Sequence, residues 1–152
     1  MHCLADGDAT RMLREPDDLI RRDVRFRRAV HRYTQRDMAY VRAALLRATV
    51  QEVAQDLVMG NARAVTQDGK PSGCLTIQGG TACGPANVAI CEFLAQTRLA
   101  GEQALAERLA RAVAEGDRPD RTSPAALARF LMSFLAGQSV HAAAGVGRSE
   151  LE

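Results

Sequence analysis

Cysteine and histidine are the residue types in this sequence with the most potential for chemistry, and there are four of the first and three of the second. A cysteine nucleophile needs a base beside it, and a metal site needs several ligands at short spacings. No C-x-x-C pair occurs, and no histidine lies at metal-ligand spacing from any cysteine. We therefore expect buried, reduced thiols in helices at Cys3, Cys74, Cys83 and Cys91.

Catalysis is disfavoured by what surrounds the candidate bases. His31 or His141 could activate a cysteine, but no third orienting residue and no glycine turn able to form an oxyanion hole stands near either pair. Gly79 and Gly80 do not fit a phosphate-binding loop. The sequence predicts a protein that is not an enzyme, with no catalytic residues, no metal ligands and no cofactor.

Arginine is concentrated near the beginning of the chain. Residues 11–47 contain eleven arginines and five acids, although the net charge of the whole chain is only +2. Arginine on one helix face can neutralise nucleic-acid phosphates. The same pattern is typical of a solvated helix face. We favour the second interpretation, because Phe26 and Tyr33, the aromatic residues that could stack on bases, fit the apolar core better.

Composition indicates which elements must position these residues. The chain of 152 residues is 47% hydrophobic and 25% charged, with 4% aromatic residues and no tryptophan. A core built from Ala, Leu and Val favours helices over sheet. No apolar run is long enough to cross a bilayer, and the first ten residues do not form a secretory signal. We expect an all-α protein of about five to six antiparallel helices in the cytoplasm, with no membrane contact.

Apolar residues recur at helical spacing in four long segments. The predicted helices cover about 19–47, 50–65, 88–115 and 124–144, and the last four residues look like the opening turn of one more. Turn-forming residues make 67–73 a loop. The segment 74–83 could be a strand or a short buried helix; we favour the helix, because a single strand would have no partner.

The order of these elements, together with three short motifs, resembles the C-terminal domain of the tetracycline-repressor (TetR) family of transcriptional regulators. Phe26–Tyr33 (FRRAVHRY) is similar to the family's linker helix, and Ser72–Gln78 (SGCLTIQ) to the start of its short central helix. Ala110–Asp117 and Ser123–Phe130 resemble the turn and penultimate helix at the family's subunit interface. The resemblance covers about residues 24–152.

Both ends of the chain depart from the family pattern. The family has a helix-turn-helix head before the linker helix, whereas the segment 1–23 is irregular and shows no such pattern. By the same resemblance, we expect the final dimerisation helix to be cut at its first turn. We therefore expect residues 24–152 to form a regulatory domain whose DNA-binding head is absent from this chain. DNA is an expected partner only if the full protein carries that head.

The resemblance implies a cavity for a small, mostly apolar effector and a dimer interface at the last helices. The alternative for each cavity candidate is ordinary core packing. The candidates for ligand contact are Tyr33, Tyr40, Met59, Thr76, Gln78, Phe93, Phe130, Met132, Phe134 and Gln138. Those for a homodimer interface are Leu127, Leu131, Leu135 and His141. A second hypothesis is a headless interaction module that forms heterodimers with an intact paralogue.

Overall fold

The computed structural model describes residues 19–36, 38–81, 88–117 and 123–152, with side chains from Arg25 onward. This part of the chain contains seven α-helices and no strand, which confirms the all-α prediction, with one or two more helices than expected. The helices are α1 (Leu19–Arg36), α2 (Ala39–Leu45), α3 (Val50–Val65), α4 (Leu75–Thr81), α5 (Val88–Ala114), α6 (Pro124–Ala143) and α7 (Arg148–Leu151). No described helix is both long and apolar enough to span a membrane.

The helix expected over 19–47 is divided into α1 and α2, so its prediction as one element was wrong. The predicted apolar stripe already contains an irregular step of five residues, from Tyr33 to Met38, at this place. A guanidinium nitrogen of Arg42 donates to the carbonyl of Gln35 at 2.8 Å, which satisfies a backbone acceptor at the end of α1. The break lets α2 pack against α3 while α1 turns towards α4 and α5.

The boundaries of α3 follow from its capping residues and agree with the prediction. The hydroxyl of Thr49 accepts from the backbone N–H of Glu52 at 3.2 Å, and the Glu52 carboxylate accepts from the Thr49 N–H at 3.1 Å. This reciprocal capping box satisfies two donors that a helix start leaves open. The carboxylate of Asp117 accepts the Val50 N–H at 2.6 Å and so ties the end of α5 to the start of α3.

The predicted ends of α5 and α6 are also confirmed. Gly116 has a φ of +76° and ends α5 in the left-handed conformation that glycine adopts at low cost. Pro124 stands in the first turn of α6 after Ser123. The short helix favoured over a strand is present as α4, whereas the expected Gly84-Pro85 stop and Asn87 cap lie outside the described residues.

The apolar core of the described residues consists of one central cluster and two smaller ones. The central cluster is formed by α2, α3, α5 and α6 around Leu57, Leu105 and Leu109, all 2% exposed or less. A second cluster packs Phe26 and Val30 of α1 against α4 and α5. The third joins Val65, Cys74 and Ala142. This arrangement leaves space between the clusters, where the helices α2 to α6 approach one another.

Candidate ligand-binding cavity

A cavity of about 70 Å³ lies between helices α2, α3, α4, α5 and α6. Its wall is mainly apolar, and it contains three of the predicted ligand contacts, Tyr40, Thr76 and Met132. The cavity is lined by Met38, Tyr40, Val41, Leu45, Leu57, Asn61, Cys74, Thr76, Ile77, Thr97, Arg98, Gly101, Leu105, Met132, Leu135, Ala136 and Ser139. Such a volume is about half that of an engineered cavity of ~150 Å³ that accommodates benzene.

Two further predicted contacts are glutamines, and both make hydrogen bonds to the protein instead of lining the cavity. Gln138 is 4% exposed, and its amide donates to the carbonyl of Leu151 at 2.9 Å. Gln78 donates to the carbonyl of Ser139 at 3.0 Å and accepts from the Cys74 N–H at 2.6 Å. Both side chains connect helices, and neither belongs to the wall.

The remaining predicted contacts also lie outside the cavity. Tyr33 packs between the second and third clusters, and its hydroxyl lies 3.5 Å from the Cys74 sulfur. Phe93 belongs to the second cluster, with the Arg27 guanidinium 4.9 Å from its ring centre. Met59 is partly buried elsewhere, while Phe130 and Phe134 are exposed on α6. None of these five side chains therefore lines the cavity.

A polar network connects the cavity to the C-terminal end of the chain. The hydroxyl of Tyr40 donates to Asn61 Oδ1 at 2.8 Å. Asn61 Nδ2 donates in turn to the carbonyl of Leu135 at 3.0 Å and to Gln138 Oε1 at 2.8 Å. Through Gln138 the network reaches the carbonyl of Leu151 in α7. Because Asn61 is 5% exposed, these bonds satisfy an amide that would otherwise be costly to bury.

The phenols near the cavity are held in their neutral form. Burial raises the pKa of Tyr40 well above its ordinary value of 10.0, and the neighbouring Cys74 adds to this effect. The pKa of Tyr33 is raised in the same way, by burial first and by Cys74 second. Desolvation disfavours a phenolate wherever water cannot reach the oxygen. At neutral pH these two hydroxyls can therefore only act as neutral hydrogen-bonding groups.

Sequence reasoning missed Asn61 and Arg98, although both left a signal. Asn61 lies four residues after Leu57 and four before Val65, on the buried side of α3. Arg98 lies four residues after Leu94 and seven before Leu105, on the buried side of α5. A polar side chain in register with an apolar stripe either meets a polar partner or lines a cavity. Here Asn61 and Arg98 do both.

Two wall residues depend on glycines in the neighbouring helices. A Cβ at Gly60 of α3 would lie 2.5 Å from Cδ2 of Tyr40, and a Cβ at Gly80 of α4 would overlap Nη1 of Arg98. Real Cβ atoms do not approach so closely. The missing methyl groups let the tyrosine ring approach α3 closely and the guanidinium approach α4 closely. Neither glycine belongs to the lining, yet each fixes the position of a side chain that does.

The expectation of a reduced, buried thiol holds for Cys74, although this residue directly precedes α4 and does not lie in a helix, while Cys3 and Cys83 lie outside the described residues. Cys74 is 6% exposed and free. Cys91 is disulfide-bonded, which contradicts the expectation for that residue; its partner lies outside the described residues. Periodicity places a cysteine on a helix but gives no information on which other cysteine approaches it. Within the described ranges, no three His, Cys, Asp or Glu side chains are grouped as a metal site would require.

The predicted dimer residues lie on two different sides of α6. Leu131 and Leu135 are 8% and 6% exposed and pack in the central cluster, and Leu127 packs against the same cluster. These three leucines thus face the chain's own core, contrary to their expected place at an interface. The solvent side instead carries Phe130, Phe134 and His141, with Phe130 65% and Phe134 46% exposed. Both sides of α6 are apolar, so periodicity could not tell them apart.

Comparison with known proteins gives structural neighbours for this fold. No protein-family model matches the sequence, and the curated proteins gave no match. Two matching solved structures are cysteine-substituted variants of the TetR-family transcriptional regulator CifR, each complexed with 26-base-pair double-stranded operator DNA. They are 29% and 28% identical to this chain, with a TM-score of 0.77 in both cases. Each match covers 83% of this chain and 66% of the CifR chain.

A third structure, from Rhodococcus sp. RHA1, is described as a TetR transcriptional regulator and has a TM-score of 0.63. It is 34% identical over 74% of this chain and 60% of its own. This chain therefore spans less than two thirds of each neighbour. All three neighbours are described as transcriptional regulators and none as an enzyme. The described chain is similar to the TetR-family transcriptional regulators in fold and, at 28–34% identity, also in sequence.

Proposed function

We propose that this chain is the effector-sensing and dimerisation region of a TetR-type transcriptional regulator, most simply a repressor. The observation that carries the proposal is the mainly apolar cavity bounded by α2, α3, α4, α5 and α6. An apolar wall with a few placed polar groups is typical of small-molecule sites. The similarity to regulators, two of them complexed with operator DNA, supports a regulatory use of such a site.

The cavity lies where a ligand could act on α2. Tyr40 of α2 forms part of the wall and is bonded to Asn61 of α3. A ligand that fits the cavity better in one arrangement of α2 and α3 would shift the population towards that arrangement. In a full protein with a DNA-binding head, this shift would change operator affinity. Operator binding by the whole protein is part of the proposal.

A thermal-shift measurement with butan-1-ol tests whether the cavity binds apolar molecules. At ligand concentrations well above Kd we expect a higher melting temperature, by about 2–4 °C for each kcal/mol that binding adds to the free energy of unfolding. Ala136→Phe should abolish the shift, because Ala136 lines the cavity and the larger ring would fill it. The matched control, Ala110→Phe, places the same ring on the exposed side of α5. An equal shift in all three proteins would contradict the proposal.

The exposed side of α6 supports the dimerisation part of the proposal. Phe130, Phe134, Gly137 and His141 follow one another at steps of four, three and four residues, and so form a single stripe along the helix. Two exposed phenylalanines on one stripe are characteristic of a surface that another chain covers. We expect this stripe, rather than the three leucines predicted from the sequence, to form the contact.

Sedimentation measurements test this contact. Phe130→Glu should convert a dimer to a monomer, because a carboxylate would be buried without a partner. Leu46→Glu is the control, since Leu46 is 86% exposed at the end of α2, away from the stripe. A monomeric wild-type chain would refute homodimerisation. In that case, co-purification with a co-expressed intact regulator would favour the heterodimer module, and the same Phe130→Glu change should abolish it.

A further inference from the structure

The hydrogen-bond donors of the cavity wall are almost all occupied by the protein itself. The hydroxyls of Tyr40, Thr97 and Ser139 donate to a side-chain amide or to carbonyls of their own helices, at 2.8, 2.9 and 3.0 Å. Asn61 uses both amide hydrogens, at 3.0 and 2.8 Å. These groups can therefore offer only oxygen lone pairs to a ligand.

Arg98 is the exception in this wall. Among the described lining residues it is the only one that carries a charge at neutral pH, and it is partly buried. Its Nη1 donates to the carbonyl of Thr76, which is itself a lining residue, so the guanidinium lies at the wall. No carboxylate in the described part of the chain pairs with it. A guanidinium has five N–H donors, so most of those of Arg98 remain available.

The other free proton in the wall is a weak one. The Cys74 sulfur and the Thr76 hydroxyl lie 3.1 Å apart and share one hydrogen bond, in which either can donate. This bond uses one of the two protons of the pair, so the other, on the thiol or on the hydroxyl, is not used by it. A thiol or hydroxyl proton can support a ligand oxygen but cannot neutralise a charge. Among the described residues of the wall, Arg98 therefore supplies the only full charge that a ligand could meet.

From this distribution of donors, we infer that the cavity selects a small carboxylate with a short apolar tail. The carboxylate would accept from the free N–H groups of Arg98, and the tail would lie against Leu57, Leu105 and Met132. A planar guanidinium and a planar carboxylate form two parallel hydrogen bonds, which a single arginine can satisfy. A phosphate carries more negative charge than one guanidinium can neutralise, and more oxygen acceptors than it can bond. Apart from one weak proton, the other wall groups offer only lone pairs, which cannot bond these oxygens.

The size of the cavity limits the tail. At about 70 Å³, it has about half the volume of a cavity that holds the six carbons of benzene. A tail of about three carbons fits this space, and butanoate has that length. The inference rests on the proposed sensing function and names the chemical class of its effector.

Methionine methyl groups report directly on binding. Met38 and Met132 line the cavity, whereas Met59 does not and serves as an internal control. The experiment titrates ¹³C-methyl-methionine-labelled full chain with butanoate and, separately, with butanamide, its neutral isostere. We expect saturable shifts of the Met38 and Met132 signals with butanoate and none at Met59. Butanamide should bind at least tenfold more weakly, since charge-assisted hydrogen bonds exceed neutral ones.

Two variants test the role of Arg98. Arg98→Gln removes the charge and should weaken butanoate binding about tenfold or more while leaving butanamide unchanged. Arg129→Gln is the matched control, because Arg129 is exposed and pairs with Glu102 away from the cavity. Gly80→Ala keeps the guanidinium but displaces it, because the new Cβ would overlap Nη1. It should also weaken butanoate binding, and it provides a second test if Arg98→Gln does not fold.

The outcomes separate this inference from the proposed function. Equal affinity of the wild-type chain for butanoate and butanamide would overturn the inference, and the cavity would remain a sensor of neutral molecules. Shifts confined to Met59 would overturn it too, because the carboxylate would then bind elsewhere. If butan-1-ol, butanamide and butanoate all leave Met38 and Met132 unshifted, the sensing function fails as well.

Discussion

At the residue scale, Asn61 holds three helices together through one side chain. Its amide bonds Tyr40 of α2 and, in α6, both the carbonyl of Leu135 and the side chain of Gln138. Each of these partners is at least partly buried, so water cannot fully replace a lost bond. A buried polar group left without a partner costs about 1–3 kcal/mol.

We therefore expect Asn61→Ala to lower the free energy of unfolding by about 2–4 kcal/mol. Urea denaturation followed by circular dichroism measures this loss. Gln55→Ala, an amide removed from the exposed side of the same helix, should change stability by less than about 0.5 kcal/mol. Equal effects of the two changes would show that the network contributes nothing.

The two tyrosines predict a loss of stability at high pH. The folded state raises the pKa of Tyr40 and Tyr33 above the ordinary value of 10.0, so it holds these protons more tightly than the unfolded chain does. The resulting stability is complete below pH 10.0 and is lost progressively as the pH rises above it. Because the chain has two tyrosines and no tryptophan, phenolate absorbance follows these groups without interference.

In an alkaline titration, we expect phenolate to appear later than in free tyrosine and together with unfolding. Tyr40→Phe should make the protein lose stability less steeply above pH 10.0, although it also removes the bond to Asn61. If half the phenolate signal appeared near pH 10.0 in a fully folded protein, the phenols would be solvated and the prediction would be wrong.

At the element scale, the start of α3 is fixed by its capping box. The hydrogen bonds from Thr49 also lower the pKa of Glu52, whose carboxylate accepts the backbone N–H. This contribution is present above the ordinary pKa of 4.5 and is lost as the pH falls and the carboxylate takes up a proton.

Thr49→Ala should destabilise the chain by about 1 kcal/mol, the usual effect of removing a helix cap. Thr34→Ala is the control, because the Thr34 hydroxyl returns to the carbonyl of His31 within its own helix and caps nothing. The midpoint of urea denaturation should fall for the first variant and stay nearly constant for the second. The reverse order would refute the capping role.

The elements themselves were largely predictable from the sequence, and their faces only in part. Val50–Val65 and the C-terminal stop at Gly116 follow from local signals that require no tertiary contact. The division between α1 and α2 was missed because an apolar stripe continues across it. The two sides of α6 were confused because Leu131 and Phe130 are equally apolar, and only packing against α3 and α5 decides which one is buried.

At the scale of the whole molecule, Arg108 joins α5 to the turn between α2 and α3. It is 5% exposed, and its Nη2 donates to the carbonyls of Arg47 and Ala48 at 2.9 and 2.8 Å. Its Nη1 is buried without a hydrogen-bond partner among the described atoms. A buried charge with incomplete bonding is a weak source of stability, and an apolar residue of similar length often replaces it at little cost.

Arg108→Met should therefore change the free energy of unfolding by less than about 1 kcal/mol, in either direction. Arg108→Ala should cost about 2–4 kcal/mol, because it leaves an empty space beside Leu105 and Leu109. Both values come from urea denaturation. A loss above 3 kcal/mol for the methionine variant would mean that the two hydrogen bonds to the turn are indispensable.

The site was less predictable than the fold for a reason that operates across the whole molecule. Tyr40, Thr76 and Met132 were foreseen, but the wall is assembled from five helices whose mutual positions no local pattern encodes. Phe93 and Gln138 are residue types that could contact a ligand, but Phe93 packs in the second cluster and Gln138 bonds the carbonyl of Leu151. Residue type restricts the candidates, and packing selects among them.

Gly60 shows how readily the shape of such a cavity could change. A single-base change in a glycine codon gives alanine, and the added methyl would press on the ring of Tyr40. Because the ring forms part of the wall, its displacement would reshape the cavity from a position outside the lining. If the cavity binds an effector as proposed, related chains could thus diverge in the molecules they bind through changes behind the wall, while every lining residue stays the same.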